Sequence, residues 1–301
     1  MRPPHVGREK LSKFEIKKIF NQYLKVKCDS HNIANLKNID LFDSILMGDS
    51  HTPQFSYLVN LGALRTKDMR SFASFNDANI ASKINAYKRY EEVEDEKTIH
   101  LKAGNEILMP LGECLKIRKS TRKFASSPLD FDDFSTLCKY SFGQSERKEE
   151  YGGIEVSCRY HASGGGLYPL QIFLYINNVS SVENGLYRYQ VSSHSIYPVR
   201  KDFDVSRFLN NDRNFDLANF SLLVIYEYDI NRNYLKYGEL SLLLTFMEVG
   251  IISHNFELCS SALRCGACQI GGFDKHYAEN ILNLDGFNSH VIFTNICGRR
   301  R

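Results

Sequence analysis

The chain has 301 residues, of which 43% are hydrophobic and 24% are charged, and its formal net charge is +3. This composition is typical of a globular protein with an ample core. The charges are interspersed and form no basic stripe, which argues against a nucleic-acid partner. The start of the chain has no apolar run, so we expect no secretion signal, and the eight cysteines are then expected to be reduced thiols in the cytoplasm.

The first third of the chain differs from the rest. Apolar residues recur there at helical spacing between lysines and polar residues, namely Ile16, Ile19, Phe20 and Tyr23. A second, polar helix is expected within residues 76–96. We therefore predict an N-terminal helical arm or subdomain over residues 1–105, followed by a larger domain over residues 106–301.

From about residue 107 onwards, helical and strand patterns alternate. Pro128 and the acidic residues after it predict a helix, which ends at Gly143 and is followed by a charged loop over residues 144–153. Apolar runs predict strands over residues 170–177, 185–191, 196–199, 220–228 and 290–296. Further helices are expected over residues 240–264 and 275–284. The predicted fold class is α+β, with a sheet covered by helices.

The most apolar stretch, residues 240–263, is interrupted by Glu248 and Glu257. Such polar residues indicate a buried helix of the core, so no membrane span is predicted. Directly after it, Cys265 and Cys268 form a single C-x-x-C pair. A structural zinc site needs four ligands, and no second pair has a suitable spacing. We therefore predict packing thiols in preference to a metal site or a redox disulfide.

Arg118 and Arg122 stand four residues apart, with Ser120 between them, just before an expected helix. On a helix or in an extended chain, the two guanidinium groups share a face and can bind one anion such as a phosphate. The simpler interpretation of this stretch is a solvated basic turn.

Two glycine-rich turns are also candidate ligand sites. Ser163 leads into the run Gly164–Gly166 ahead of a strand, and glycines let a ligand lie on the backbone and on its N–H donors. Gly271 and Gly272 precede a predicted helix, whose start favours an anion. A flexible turn and a plain connection are the simpler alternatives.

The order of these motifs resembles the flavin-dependent nitroreductase superfamily. Its Arg-x-Ser-x-Arg, Ser-Gly-Gly and Gly-Gly-Phe patterns occur here at residues 118, 163 and 271. The adjacent Lys236 and Tyr237, followed by Met247-Glu248-Val249-Gly250, resemble more closely the branch of azoline oxidases, the SagB-type or microcin-type dehydrogenases. The likeness covers residues 107–298. It departs from the family at Ala162, which replaces a proline, and after Tyr237, where a Tyr/Arg-rich stretch is missing.

The resemblance implies an FMN-binding α+β fold with a mostly antiparallel sheet flanked by helices. It also implies a homodimer with the flavin at the subunit interface. The implied contacts of the flavin phosphate and ribityl chain are Arg118, Ser120 and Arg122, and those of the ring are Ser163, Gly164 and Gly165. Further implied cofactor contacts are Gly271, Gly272 and, unless it lies in a disordered tail, Arg299.

The implied reaction is the aromatisation of thiazoline or oxazoline rings in a ribosomal peptide. Lys236 or Tyr237 is the implied base that removes the ring proton, and we favour Lys236. The implied partners are the azoline-bearing precursor peptide and an ATP-dependent cyclodehydratase. Two alternatives stay open: a general FMN reductase of quinones or nitroaromatics, and a scaffold subunit without flavin.

Overall fold

The computed structural model describes residues 92–151, 154–210, 214–237 and 240–301. The helix expected near Ile16 lies outside these residues, as does most of the region in which the polar helix is expected, residues 76–96. Residues 92–96 are not helical, and residues 99–100 pair with the main sheet. The N-terminal helical subdomain and its boundary at residue 105 therefore stay predictions.

The described residues form a mixture of helices and strands, which confirms the α+β class. The helices are α1 Leu111–Ile117, α2 Phe131–Phe142, α3 Val205–Phe208, α4 Tyr234–Tyr237, α5 Leu240–Ala262 and α6 Lys275–Ile281. The strands are β1 Ile99–His100, β2 Gln144–Tyr151, β3 Ile154–Arg159, β4 Leu170–Ile176, β5 Gly185–Gln190, β6 Ser195–Arg200, β7 Leu222–Asp229, β8 Cys265–Ile270 and β9 Ser289–Arg299. Short 3-10 turns occur at Gly164–Gly166 and Ile230–Arg232.

Seven strands form the main sheet in the order β1-β6-β5-β4-β7-β9-β8. Each neighbouring pair is antiparallel. The inner strand β7 is buried along almost its whole length, because helices cover both faces of the sheet and leave no polar face to alternate with the apolar one. The expected antiparallel sheet flanked by helices is confirmed.

Alternate residues of β7 enter two separate apolar clusters, one on each face of the sheet. Val224 packs with residues of α2 and α5 on one face, whereas Ile225 packs with residues of α3 and α6 on the other. This follows from the alternation of side chains along a strand. The face covered by α2 and α5 is the one that carries the candidate site.

The long helix α5 matches the buried helix expected over residues 240–264. By length and apolar composition alone it could cross a membrane. It packs against α2 and β8, however, and it buries the side chains of Glu248 and Glu257. These contacts are those of a core helix.

The charged segment at residues 144–153 is not a loop, as the sequence indicated, but contains strand β2. This strand pairs antiparallel with β3 in a separate two-stranded sheet. It carries a run of charged residues, Glu146-Arg147-Lys148-Glu149-Glu150. A strand of such a ribbon can be charged along its whole length, so it lacks the apolar alternation by which strands are predicted.

Strand β8 was also not predicted, since its sequence contains the C-x-x-C pair and a glycine instead of a β-branched run. Cys265 and Cys268 are buried in this strand as free thiols. Among the described residues, no group of three or more histidine, cysteine or acidic side chains is placed to hold a metal ion.

Candidate functional site

The glycine turn, Gly164–Gly166, lies between β3 and β4 at the end of the sheet. Gly165 and Gly166 have φ angles of +60° and +64°, a left-handed conformation that glycine adopts without strain. Ser163 precedes the turn, and its Oγ accepts a 2.8 Å hydrogen bond from the N–H of Tyr168. The two ends of the turn are thus tied together by one hydroxyl.

Lys236 and Tyr237 converge on this turn from helix α4. A Cβ atom added to Gly165 would overlap both Lys236 Nζ and Tyr237 Oη. The lysine side chain is only 8% exposed, and its Nζ lies 4.8 Å from the centroid of the Tyr237 ring. Burial raises the pKa of the Tyr237 phenol. The structure therefore brings the two expected base candidates and one expected flavin contact into one cluster.

Adjacent residues of a regular helix point in clearly different directions, so one of the two side chains of a straight helix would point away from the turn. Both reach Gly165 instead. A lysine has a long, flexible side chain, and α4 is only a single helical turn long. The geometry alone does not distinguish Lys236 from Tyr237 as the base.

Asn233 positions helix α4, and sequence analysis did not identify it. Its carbonyl oxygen accepts hydrogen bonds from the N–H groups of Lys236 and Tyr237 at 3.2 and 2.9 Å. Its side-chain Nδ2 donates to Ser241 O at 3.1 Å and to Thr245 Oγ1 at 2.9 Å, both on α5. The side chain is buried and its bonds are satisfied within the fold, so α4 is attached firmly to α5.

The arginine segment, residues 118–122, runs in extended conformation along the outer edge of β8. Thr121 N donates a 2.9 Å hydrogen bond to Ala267 O, next to a parallel bridge between Ser120 and Ala267. The segment follows helix α1 and does not precede a helix, as was expected, since Arg118 ends α1 with an extended ψ of 125°. In an extended chain Arg118, Ser120 and Arg122 lie on one face.

The side chains of this segment are at least partly accessible. Arg118 Nη1 lies 3.6 Å from Glu257 Oε2, and its side chain is 33% exposed. Ser120 and Arg122 are exposed. Burial raises the pKa of the Cys268 thiol, whereas the charge of Arg122 and the hydroxyl of Ser120 act against this rise. The segment can therefore present two guanidinium groups and a hydroxyl to one anion.

Gly271 and Gly272 directly follow β8 and are exposed. The helix after them, α6, is already capped, because the carboxylate of Asp274 accepts a 2.9 Å hydrogen bond from Tyr277 N. A ligand at this turn would therefore contact the glycines themselves and not a free helix start. Their role in cofactor binding stays a prediction.

Arg299 ends strand β9 and is held in place. Its Nη2 donates a 2.7 Å hydrogen bond to Asp133 Oδ2 in the first turn of α2, and its Nη1 contacts Leu263 O at 3.4 Å after α5. The alternative of a disordered arginine tail is therefore wrong. Arg299 joins two helices to the sheet, and a contact with a flavin phosphate stays a prediction.

The described chain matches a model of the nitroreductase family over residues 115–299, which is more than half of its length. The chain belongs to the nitroreductase family. A curated protein of Methanocaldococcus jannaschii, provisionally named a nitroreductase, is 27% identical over 176 residues, 58% of this chain and 84% of that protein. Membership of this family makes the protein an FMN-dependent oxidoreductase.

Solved structures of the nitroreductase fold resemble this chain. A Ralstonia eutropha protein, also provisionally named a nitroreductase, has a TM-score of 0.57 and 21% identity, covering 71% of this chain and 99% of its own. A chain of the Escherichia coli McbBCD microcin synthetase complex with truncated pro-MccB17 bound has a TM-score of 0.49 and 18% identity, covering 86% and 97%. The first likeness shows the fold, and the second is too weak to carry an argument about function.

The residues of the site fit FMN. Gly165 leaves no room for a Cβ, whereas a Cβ on Gly166 would meet nothing within 4 Å, so the turn has one packed and one open side. Helix α5 contacts both parts of the site, through Glu248 at Ser163 and Glu257 at Arg118. These glutamates are nine residues apart, which is about 13 Å along a helix. An elongated ligand with a flat ring at one end and a phosphate at the other suits this separation.

Proposed function

We propose that this nitroreductase-family protein is an azoline oxidase, which aromatises thiazoline or oxazoline rings in a ribosomally made peptide. The observation that carries the proposal is the convergence of Lys236 Nζ and Tyr237 Oη on Gly165. A general reductase needs a flavin and an open face for its substrates. A side-chain amine and a phenol packed together against the ring-binding turn additionally supply a proton acceptor, which azoline oxidation requires.

In the proposed reaction, the azoline ring loses one proton and one hydride and becomes aromatic. FMN supplies the two-electron acceptor for the hydride. Lys236 Nζ accepts the proton from the ring carbon next to the peptide carbonyl. The step needs the neutral amine of Lys236, which lies buried against the glycine turn. Tyr237, whose ring lies beside Nζ, orients the amine or hydrogen-bonds to the substrate.

The proposed cofactor contacts are those of the arginine segment and the two glycine-rich turns. Arg118, Ser120 and Arg122 would hold the phosphate through charge-assisted hydrogen bonds. The ring would lie on the open side of the glycine turn, where backbone N–H groups are accessible. Each group acts by binding and orienting the cofactor, while the protein's own acid–base chemistry stays with Lys236 and Tyr237.

The proposed partners are an azoline-bearing precursor peptide, the cyclodehydratase that forms its rings from Cys, Ser or Thr, and a second copy of this chain. The surface of α5 and α1 supports the dimer. It exposes large apolar side chains, namely Leu111, Leu115, Phe246, Met247 and Ile251, and α1 packs against α5. Exposed apolar side chains on two packed helices suit a subunit interface. Light scattering of the purified protein measures its oligomeric state.

The function is tested with the double variant Lys236→Ala, Tyr237→Ala. Mass spectrometry of a heterocyclised peptide follows the loss of two hydrogens per ring. We expect the rate to fall by about 10²-fold or more, the usual contribution of a general base, while FMN stays bound. Tyr234→Ala is the matched control, because Tyr234 belongs to the same helix but is 43% exposed, and it should oxidise rings at the wild-type rate.

Three results would contradict the proposal. A flavin-loaded double variant that oxidises rings at the wild-type rate would exclude Lys236 and Tyr237 as the base. Wild-type protein that leaves every azoline peptide unchanged but reduces quinones with a nicotinamide donor would be a general reductase. Protein purified without flavin from riboflavin-replete cells would be a scaffold subunit.

A further inference from the structure

One face of helix α5 contacts the glycine turn. Glu248 Oε2 accepts a 2.5 Å hydrogen bond from Ser163 Oγ. One helical turn earlier on the same face, Leu244 lies where a Cβ on Gly164 would come within 3.4 Å of it. The turn therefore rests on two side chains of α5.

The bond from Ser163 to Glu248 is part of a chain of hydrogen bonds. Ser163 Oγ also accepts from Tyr168 N at 2.8 Å, and Tyr168 has a positive φ of 48°, which costs energy for a residue with a Cβ. The hydroxyl thus orients toward the carboxylate and holds the strained end of the turn. Hydrogen bonds to an ionised acceptor are shorter and stronger than neutral ones.

The second oxygen of Glu248 makes no such bond. Glu248 Oε1 faces His161 Nε2 at 3.7 Å, which is too long for a hydrogen bond. Both atoms are buried and have no hydrogen-bond partner among the described residues. The hydrogen bond of this carboxylate to Ser163 is therefore the contact through which it acts on the site.

The same helix also holds the opposite side of the cluster. Ser241 and Thr245 of α5 bind the side chain of Asn233. The carbonyl oxygen of Asn233 in turn accepts hydrogen bonds from the N–H groups of Lys236 and Tyr237 in α4. One rigid element therefore sets the distance between the glycine turn and the base candidates. Rigid elements hold reacting groups more precisely than loops do.

We propose that Glu248 is a positioning residue, which acts through Ser163 to hold the glycine turn against Lys236 and Tyr237. This role refines the proposed function, and the expected effect of Glu248 on catalysis rests on that function. Loss of the Ser163 hydroxyl makes the glycine turn more mobile and increases the mean distance between the turn and Lys236 Nζ. The fold itself keeps its sheet and α5, since neither depends on this bond.

The test uses the FMN-loaded protein and the variants Ser163→Ala, Glu248→Gln and Ser163→Thr. The control is Ser253→Ala, which removes another buried hydroxyl bond of α5, the 2.8 Å bond from Ser253 Oγ to Asn295 Oδ1. Hydrogen exchange measured by mass spectrometry reports on the peptide over residues 163–168. Steady-state oxidation of an azoline peptide gives kcat and KM separately.

In Ser163→Ala, we expect exchange of the turn to rise and kcat to fall, each by about ten- to a hundredfold, the equivalent of one hydrogen bond to a charged group. KM should stay unchanged. Glu248→Gln keeps the shape of the side chain without its charge and should give a smaller effect. Ser163→Thr keeps the hydroxyl and should restore both values, while Ser253→Ala should match wild type at the turn.

Equal exchange of the turn in Ser163→Ala and Ser253→Ala would overturn the inference. If Ser163→Ala does not fold, wild-type exchange in Glu248→Gln would overturn it instead. The exchange measurement needs no substrate. If wild type fails to oxidise azolines, the proposed function fails alone, and faster exchange in Glu248→Gln, which leaves the Ser163 hydroxyl in place, still supports the positioning role of Glu248.

Discussion

The glycine turn and the arginine segment differ in how they are built. The cluster around the turn is partly buried and combines parts of the chain that are far apart in sequence, near residues 163–168, 236–237 and 248. The arginine segment is one continuous stretch at the surface, paired along β8. The glycine turn depends on close packing, so we expect activity to be most sensitive there to a change in side-chain volume. The arginine segment depends on the charges of an extended chain, so we expect it to be most sensitive to the loss of a charge.

The largest loss of activity is expected for Gly165→Ala, in the packed region. The new Cβ would overlap Lys236 Nζ and Tyr237 Oη, and the φ of +60° would strain it further. Because both side chains must then move, we expect azoline oxidation to fall by about 10²-fold, as when a general base is misplaced. Mass spectrometry of the peptide and absorbance of the bound flavin measure the two effects separately.

Substitutions at the two neighbouring glycines separate the effect of backbone strain from that of overlap between the new Cβ and nearby side chains. In Gly166→Ala the φ of +64° causes strain, but the Cβ meets nothing within 4 Å. In Gly164→Ala the Cβ touches Leu244 at 3.4 Å, an ordinary contact. Both should retain more activity than Gly165→Ala. An equal loss in all three variants would show that general loosening of the turn, and not its contact with Lys236, limits the reaction.

The charge dependence of the arginine segment is tested with Arg122→Ala and Lys119→Ala. On an extended chain the two side chains point to opposite faces, and only Arg122 shares a face with Arg118 and Ser120. We expect Arg122→Ala to weaken FMN binding by about ten- to a hundredfold, the loss of one charge-assisted hydrogen bond. Lys119→Ala should bind nearly as tightly as wild type. Titration of the apoprotein with FMN, followed by flavin fluorescence, gives both constants.

The smallest effect is expected for Arg299→Ala. Its bond to Asp133 joins β9 to α2 at a partly exposed position, so the loss should lower the free energy of unfolding by about 1 kcal/mol. FMN affinity should change less than in Arg122→Ala. Thermal unfolding of the flavin-loaded and flavin-free variants checks this, and a loss of affinity as large as that of Arg122→Ala would place Arg299 at the phosphate.

Strongly apolar elements were predicted well from the sequence. Strands β4 and β7 and helix α5 carry long apolar runs because they are buried on more than one side, and their positions agree with the structure within about three residues. Strand β2 and strand β8 were missed. Strand β2 carries a run of charged residues. Strand β8 is stabilised by pairing with β9, and no local sequence pattern predicts this pairing.

The α+β class, the nitroreductase family and the candidate motifs followed from the amino-acid sequence, because periodic burial and the order of short motifs can be recognised without any contact between distant residues. Only the tertiary structure brought Lys236 and Tyr237 to Gly165. It also showed that Asn233, which is bonded to α5, holds the backbone of Lys236 and Tyr237, and that Glu248 of α5 binds Ser163 beside the glycine turn. Such contacts join residues up to 85 positions apart, and their distances depend on how helices pack on the sheet, which local residue preferences do not specify.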